Sequence, residues 1–60
     1  MITEGTKVRT LVSKKDYPAG TVGVVVSLYT SGPACEVEVW DETNYPVDVV
    51  TYLVSEVEAI

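Results

Sequence analysis

The chain has no histidine, one cysteine and four basic residues. With no histidine and Cys35 alone, neither a zinc site of the usual kinds nor an intrachain disulfide can form. Small folds lean on such staples, and a chain this short buries only about 60% of the surface it exposes when unfolded. Good packing or self-association must therefore supply the stability. The missing histidine also removes the commonest general base. No apolar run approaches the roughly 18 residues of a membrane span, so no membrane association is expected. The opening Met1-Ile2-Thr3-Glu4-Gly5 reads as a mature cytosolic start, and one unpaired cysteine suits a reducing compartment. A cytoplasmic location is the expectation.

The bases are also unevenly placed. Lys7, Arg9, Lys14 and Lys15 lie in the first quarter, and from Asp16 onward come eight acids and no base, for a net charge of −5. Phosphate backbones attract basic surfaces, so an acidic domain makes a poor nucleic-acid binder. The excess of acid either keeps a small hydrophobic protein soluble or forms a face for a basic partner.

What the chain has in quantity is valine at strand spacing. A first strand is predicted over about Thr6–Val12, with Val8, Thr10 and Val12 on one side; Leu11 interrupts the alternation and suggests a bulge or a second buried face. Residues 13–20 carry charges, Pro18 and Gly20 and read as a loop. Strand two runs from Thr21 to about Tyr29. Its period-two set Val22, Val24, Val26 and Leu28 is expected to form the core, and Gly23 marks a sharp bend or a close backbone approach. A turn over Thr30–Pro33 leads to strand three, Ala34–Trp40, with Cys35, Val37 and Val39 opposite Glu36, Glu38 and Trp40. Strand four covers Val47 to about Tyr52. A short 3₁₀ turn capped by Ser55 follows, and Glu58-Ala59-Ile60 closes the structure beside strand one. No helix of normal length fits. Five short antiparallel strands with tight turns make a single all-β domain over residues 1–60, a small barrel or rolled sheet.

The series Gly5-Thr6-Lys7-Val8-Arg9, Tyr17-Pro18-Ala19-Gly20-Thr21-Val22-Gly23-Val24-Val25 and Cys35-Glu36-Val37-Glu38-Val39 resembles a family of short uncharacterised bacterial proteins, a domain of unknown function. The resemblance covers Gly5 to about Glu58. It implies an SH3-like barrel and no activity. A more distant resemblance is to KOW-type barrels. The chain departs from the family after strand three, where Asp41-Glu42-Thr43-Asn44-Tyr45-Pro46 replaces a turn of acid and glycine.

Candidate chemistry is sparse. Cys35 shares a face with Val37 and Val39 and reads as a buried structural thiol. Glu36 and Glu38 sit two apart on one strand face; paired carboxylates do acid–base work when one pKa is raised, and otherwise they solvate the sheet. Asp41, Glu42 and Asn44 lack the bidentate glutamate and glycine of a calcium loop. Gly20-Thr21-Val22-Gly23 is followed by neither the lysine nor the helix of a phosphate loop. Neither an enzyme, a cofactor nor a metal is expected.

Two functional readings follow. The first is a non-catalytic protein-interaction module, self-associating or binding a partner through an acidic and aromatic face of Glu36, Glu38, Trp40, Asp48 and Tyr52. Trp40 and Tyr52 are expected on the polar faces of their strands, with the alternative that Trp40 caps one end of the barrel. Val25, Val50 and Leu11 fall on the second faces of their strands; exposed together, they form a patch that a symmetric homodimer covers by face contact or edge pairing. The second reading is a nucleic-acid-associated KOW-like barrel with Lys7, Arg9, Lys14 and Lys15 as its basic edge.

Overall fold

Dense β-branched side chains favour extended backbone and disfavour helix, and the chain forms five strands. In the computed structural model, which describes residues 2–14, 16–29 and 32–60, these are β1 (Lys7–Thr10), β2 (Val22–Leu28), β3 (Ala34–Trp40), β4 (Pro46–Leu53) and β5 (Val57–Ala59), with a 3₁₀ turn at Val54–Glu56. They make one antiparallel sheet in the order β4-β3-β2-β1-β5, the arrangement of a small SH3-like barrel. No helix among the described residues is long and apolar enough to cross a membrane.

The core is Val8, Val25, Cys35, Val37, Val39, Val50, Tyr52 and Val57. β3 follows the expected alternation, with Cys35, Val37 and Val39 inside. β2 does not. Val25 is fully buried and Gly23 lies on the same inner face, whereas Val22 and Val26 are more than a third exposed. The core set expected from Val22, Val24, Val26 and Leu28 is therefore corrected: only Leu28 packs against the core, and it does so because the ladder skips Val26. A bulge there adds one residue to β2 and reverses the facing of whatever follows. The expected outer patch is corrected with it, since Val25 and Val50 are core; Leu11 is exposed beyond the end of β1.

Gly23 sets the spacing of β2 against β3. A Cβ at this position would lie 2.5 Å from the carbonyl oxygen of Glu38 and 2.7 Å from Val37 Cγ1. No side chain fits that gap, so the strands approach closely only because residue 23 is glycine.

The hairpin between β3 and β4 has no glycine and still turns tightly. Asp41 Oδ1 accepts hydrogen bonds from Thr43 N (2.8 Å), Thr43 Oγ1 (2.7 Å) and Tyr45 N (3.0 Å). Asn44 takes the left-handed conformation, with φ 65°. Asparagine tolerates that region better than most residues with a Cβ, so Asn44 serves where a turn of this shape commonly uses glycine. Asn44→Ala is expected to lose about 1 kcal/mol and Asn44→Gly to stay close to wild type, read by urea denaturation.

β4 and β5 do not pair with each other, and residues of the connection between β1 and β2 reach β4 and the 3₁₀ turn that joins them. Gly20, at φ +94°, donates to Thr10 O (2.7 Å) and starts the return of the chain into β2. Lys14 reaches across: its ammonium donates to Thr51 O (3.1 Å), pairs with Glu56 (3.1 Å) and sits 5.1 Å over the ring of Tyr52. Tyr17 Oη donates to Asp48 (3.2 Å). The 3₁₀ turn is held by Glu56, whose carboxylate accepts Leu53 N–H (2.8 Å), and not by the expected Ser55 cap. Within the expected turn Thr30–Pro33, Thr30 and Ser31 lie outside the described residues, as does Lys15 of the basic edge.

Candidate functional site

The five residues expected to share a contact face divide between two. Glu36, Glu38 and Trp40 project from the outer side of β3. Tyr52 is fully buried, opposite Cys35 across the β3–β4 ladder, and Asp48 lies on that same side of β4, bonded to Tyr17. The reason is parity. β4 reads Val47-Asp48-Val49-Val50-Thr51-Tyr52, and its inner positions are Val50 and Tyr52, so the acidic member Asp48 follows them inward to the barrel rim while Val47 and Val49 face out.

The outer face of β2, β3 and β4 is consequently less acidic and more apolar than the sequence suggested. Cross-strand register lines up Lys7, Val24, Glu38 and Val49 in one row, and Ser27, Glu36 and Thr51 in the next. On the other side of the first row, Glu58, Arg9 and Val22 follow one another across β5, β1 and β2. Val22, Val26, Trp40, Val47 and Val49 are exposed there by 36% to 50% of their surface among the described residues. A groove of about 290 Å³ crosses β2 between Lys7 on one side and Trp40 and Asp41 on the other, floored by Val22 and Val24. A second, more open depression runs from Tyr17 and Pro18 to Val47, and Val22 and Trp40 line both. The tryptophan thus lines both depressions at the hairpin end of β3, and tryptophan is a residue type enriched at binding hot spots.

Two of the acids on this side, Glu36 and Asp41, serve hydrogen bonding. Glu36 accepts from Tyr29 Oη (2.9 Å) and from Thr51 Oγ1. The Thr51 and Tyr29 hydroxyls hold its carboxyl below the ordinary value, the reverse of what the proton-donating member of a catalytic pair needs. The hydrogen bond from Thr43, with those from the backbone of Tyr45 and Thr43, does the same for Asp41. Asp41 Oδ1 is thereby committed to holding its hairpin. Cys35 is buried, and burial pushes its thiol up, so thiolate chemistry is suppressed. Burial likewise raises the Tyr52 phenol, with Lys14 and Thr10 partly offsetting it.

Of the four bases, Arg9 pairs with Glu58 and Lys14 with Glu56. The bonds from Leu53 N–H and Lys14 also depress the Glu56 carboxyl. A carboxyl whose folded pKa lies below its ordinary 4.5 stabilises fully above that value and loses its contribution as pH falls through the folded pKa. Thermal melts are expected to hold steady from pH 7 to about 5 and to fall below pH 4.5, with Glu56→Gln flattening part of the fall.

The outer face escaped sequence reasoning because β2 is apolar on both sides. The glycine was the available signal: a close-approach glycine belongs on the side where something approaches, so Gly23 and Val25 had to face inward. Compared with known proteins, the chain matches no family model, no curated protein and no solved structure.

Proposed function

We propose that this chain is a small, non-catalytic protein-interaction module that works through the outer face of β2, β3 and β4. The observation that carries the proposal is the exposure of Val22, Val26, Trp40, Val47 and Val49 on the outer side of these strands, with Val22, Trp40 and Val47 lining one depression. Monomeric domains rarely leave such a surface uncovered, and apolar patches rimmed by polar groups mark contact sites. Trp40 supplies the aromatic anchor; Lys7, Glu36 and Glu38 supply the polar rim. Asp48 and Tyr52 leave the binding set and join the rim and core of the barrel. Kinship with the short bacterial SH3-like proteins is part of this proposal and brings a fold without an activity. A reducing, cytoplasmic setting suits the one free thiol.

The nucleic-acid alternative draws no support from the placement of the bases. Arg9 and Lys14 are engaged in ion pairs, Lys14 is turned onto Thr51 and Tyr52, and the whole molecule carries −5.

Site-specific photo-crosslinking in the source cell tests the proposal. A photoreactive residue at Val49, on the outer face, is expected to give a discrete protein adduct, whereas one at the equally exposed Leu11 gives none. Equal labelling from both positions, or none from Val49, contradicts it.

A further inference from the structure

We infer that the partner on this face is a second copy of the chain, packed about a two-fold axis that runs along β2. The inference rests on the proposed contact face and specifies its occupant.

The argument starts from the order of residues across the sheet. In the two outward rows that run from β1 through β2, a group on β1 complements one on β3. Lys7 and Glu38 both pair with Val24, from opposite sides. Neither takes part in the two ion pairs found among the described residues, Arg9–Glu58 and Lys14–Glu56. In the neighbouring row, Arg9 pairs with Val22 on one side, and Trp40 lines the same groove as Val22 on the other.

A two-fold axis along β2 exchanges the two sides. It sets Val24 over Val24 and Val22 over Val22, and brings Lys7 of one protomer over Glu38 of its partner and Arg9 over the partner's Trp40. Each contact occurs twice, as an isologous interface requires. Strands lie about 4.8 Å apart and facing sheets about 10 Å apart, a separation that a lysine and a glutamate span together. A guanidinium over an indole is a favourable cation–π pair, and it can form while Arg9 keeps Glu58. The rows are complementary to themselves, so a copy of the chain satisfies both charges at once.

The edges point the same way. β4 is the exposed long edge, and strand addition there would need its free amide and carbonyl groups. Val49 N–H is already bonded to its neighbour Asp48 (2.8 Å), Thr51 O accepts from Lys14 (3.1 Å), and Pro46 has no N–H. Charges and proline at an edge block strand pairing. The face stays open for association while the edge is closed.

A molecule of 32 × 20 × 18 Å offers an interface at the small end of the stable range, so the dimer is expected to dissociate at roughly micromolar to tens of micromolar concentration. Sedimentation equilibrium of the full chain is the test, with circular dichroism to show that each variant folds. Lys7→Glu and Glu38→Lys are each expected to weaken association by about tenfold or more, because like charges then face each other. The double variant K7E/E38K exchanges the two charges and is expected to return to within about threefold of wild type. A wild-type chain that stays monomeric to roughly 1 mM overturns this pairing, while crosslinking from Val49 continues to report on the face itself. A dimer indifferent to both single reversals and to Val24→Glu overturns the pairing and the face together. A dimer weakened by the single reversals and not rescued in the double variant overturns the Lys7–Glu38 match, and the pairing with it.

Discussion

Replacing Gly23 by alanine is expected to remove about 3 kcal/mol, a third or more of the stability a chain of this length holds. The added methyl meets the Glu38 carbonyl oxygen at 2.5 Å and Val37 Cγ1 at 2.7 Å. The Val37 side chain can rotate away, but the carbonyl belongs to the β3 backbone, so relief requires β2 and β3 to part. Inserting atoms into a packed core costs about 1–3 kcal/mol and sometimes more; a backbone obstacle puts this substitution at about 3 kcal/mol. A domain of this length holds only about 3–9 kcal/mol in total. The effect does not come from lost turn geometry, because Gly23 is not in the left-handed region, unlike Gly20. Urea denaturation followed by far-ultraviolet circular dichroism measures it. A loss below about 1 kcal/mol contradicts the close approach of the two strands.

The second large effect distinguishes the two sides of β2. Threonine nearly matches valine in shape and keeps the β-branch, so Val→Thr alters polarity while leaving strand propensity almost untouched. At the fully buried Val25, the new hydroxyl enters the apolar core cluster that includes Val8, Val37 and Val50. An unsatisfied buried hydroxyl costs about 1–3 kcal/mol, and a loss of about 2 kcal/mol is expected. At Val22 and Val26, more than a third exposed, water satisfies the hydroxyl and the change stays within about 0.5 kcal/mol. The reverse pattern is what the plain period-two reading of Val22, Val24 and Val26 demands.

That contrast shows how far the residues alone carry. β3 was legible to the residue, because Glu36 and Glu38 alternate with Cys35, Val37 and Val39, and only one facing avoids burying two carboxylates. β5 was legible as the strand beside β1, and Val8, Arg9 and Thr10 pair there with Ala59, Glu58 and Val57. β2 offered no such asymmetry. Valine occupies both of its faces, so periodicity finds the strand and cannot orient it, and the bulge at Val26 breaks the period outright. β4 fails for a related reason: Val49 and Val50 are adjacent, and the choice between them rests on which partner β3 presents. Only tertiary packing makes that choice, and it carries Tyr52 into the core.

The candidate site inherits the same ambiguity. Trp40 was placed outward because β3 was oriented correctly. Asp48 and Tyr52 were misplaced because β4 was not. Lys7 was counted only as part of a basic edge, since its place beside Val24 depends on register across three strands. Asn44, at φ 65°, shows a local turn device that the sequence analysis did not read. An asparagine is among the few side chains able to stand where the turn requires positive φ, and Asp41 supplies the hydrogen bonds around it.

Everything proposed for this chain depends on which valines look inward and which look out. Solvent paramagnetic relaxation of the valine methyl groups, recorded by nuclear magnetic resonance on dilute protein, measures that division directly. The methyls of Val8, Val25, Val37, Val39 and Val50 should remain sharp, while those of Val22, Val26, Val47 and Val49 broaden. Protection of Val22 and Val26 at a dilution where the chain is monomeric, with broadening of Val25, would contradict both the barrel and the surface built on it.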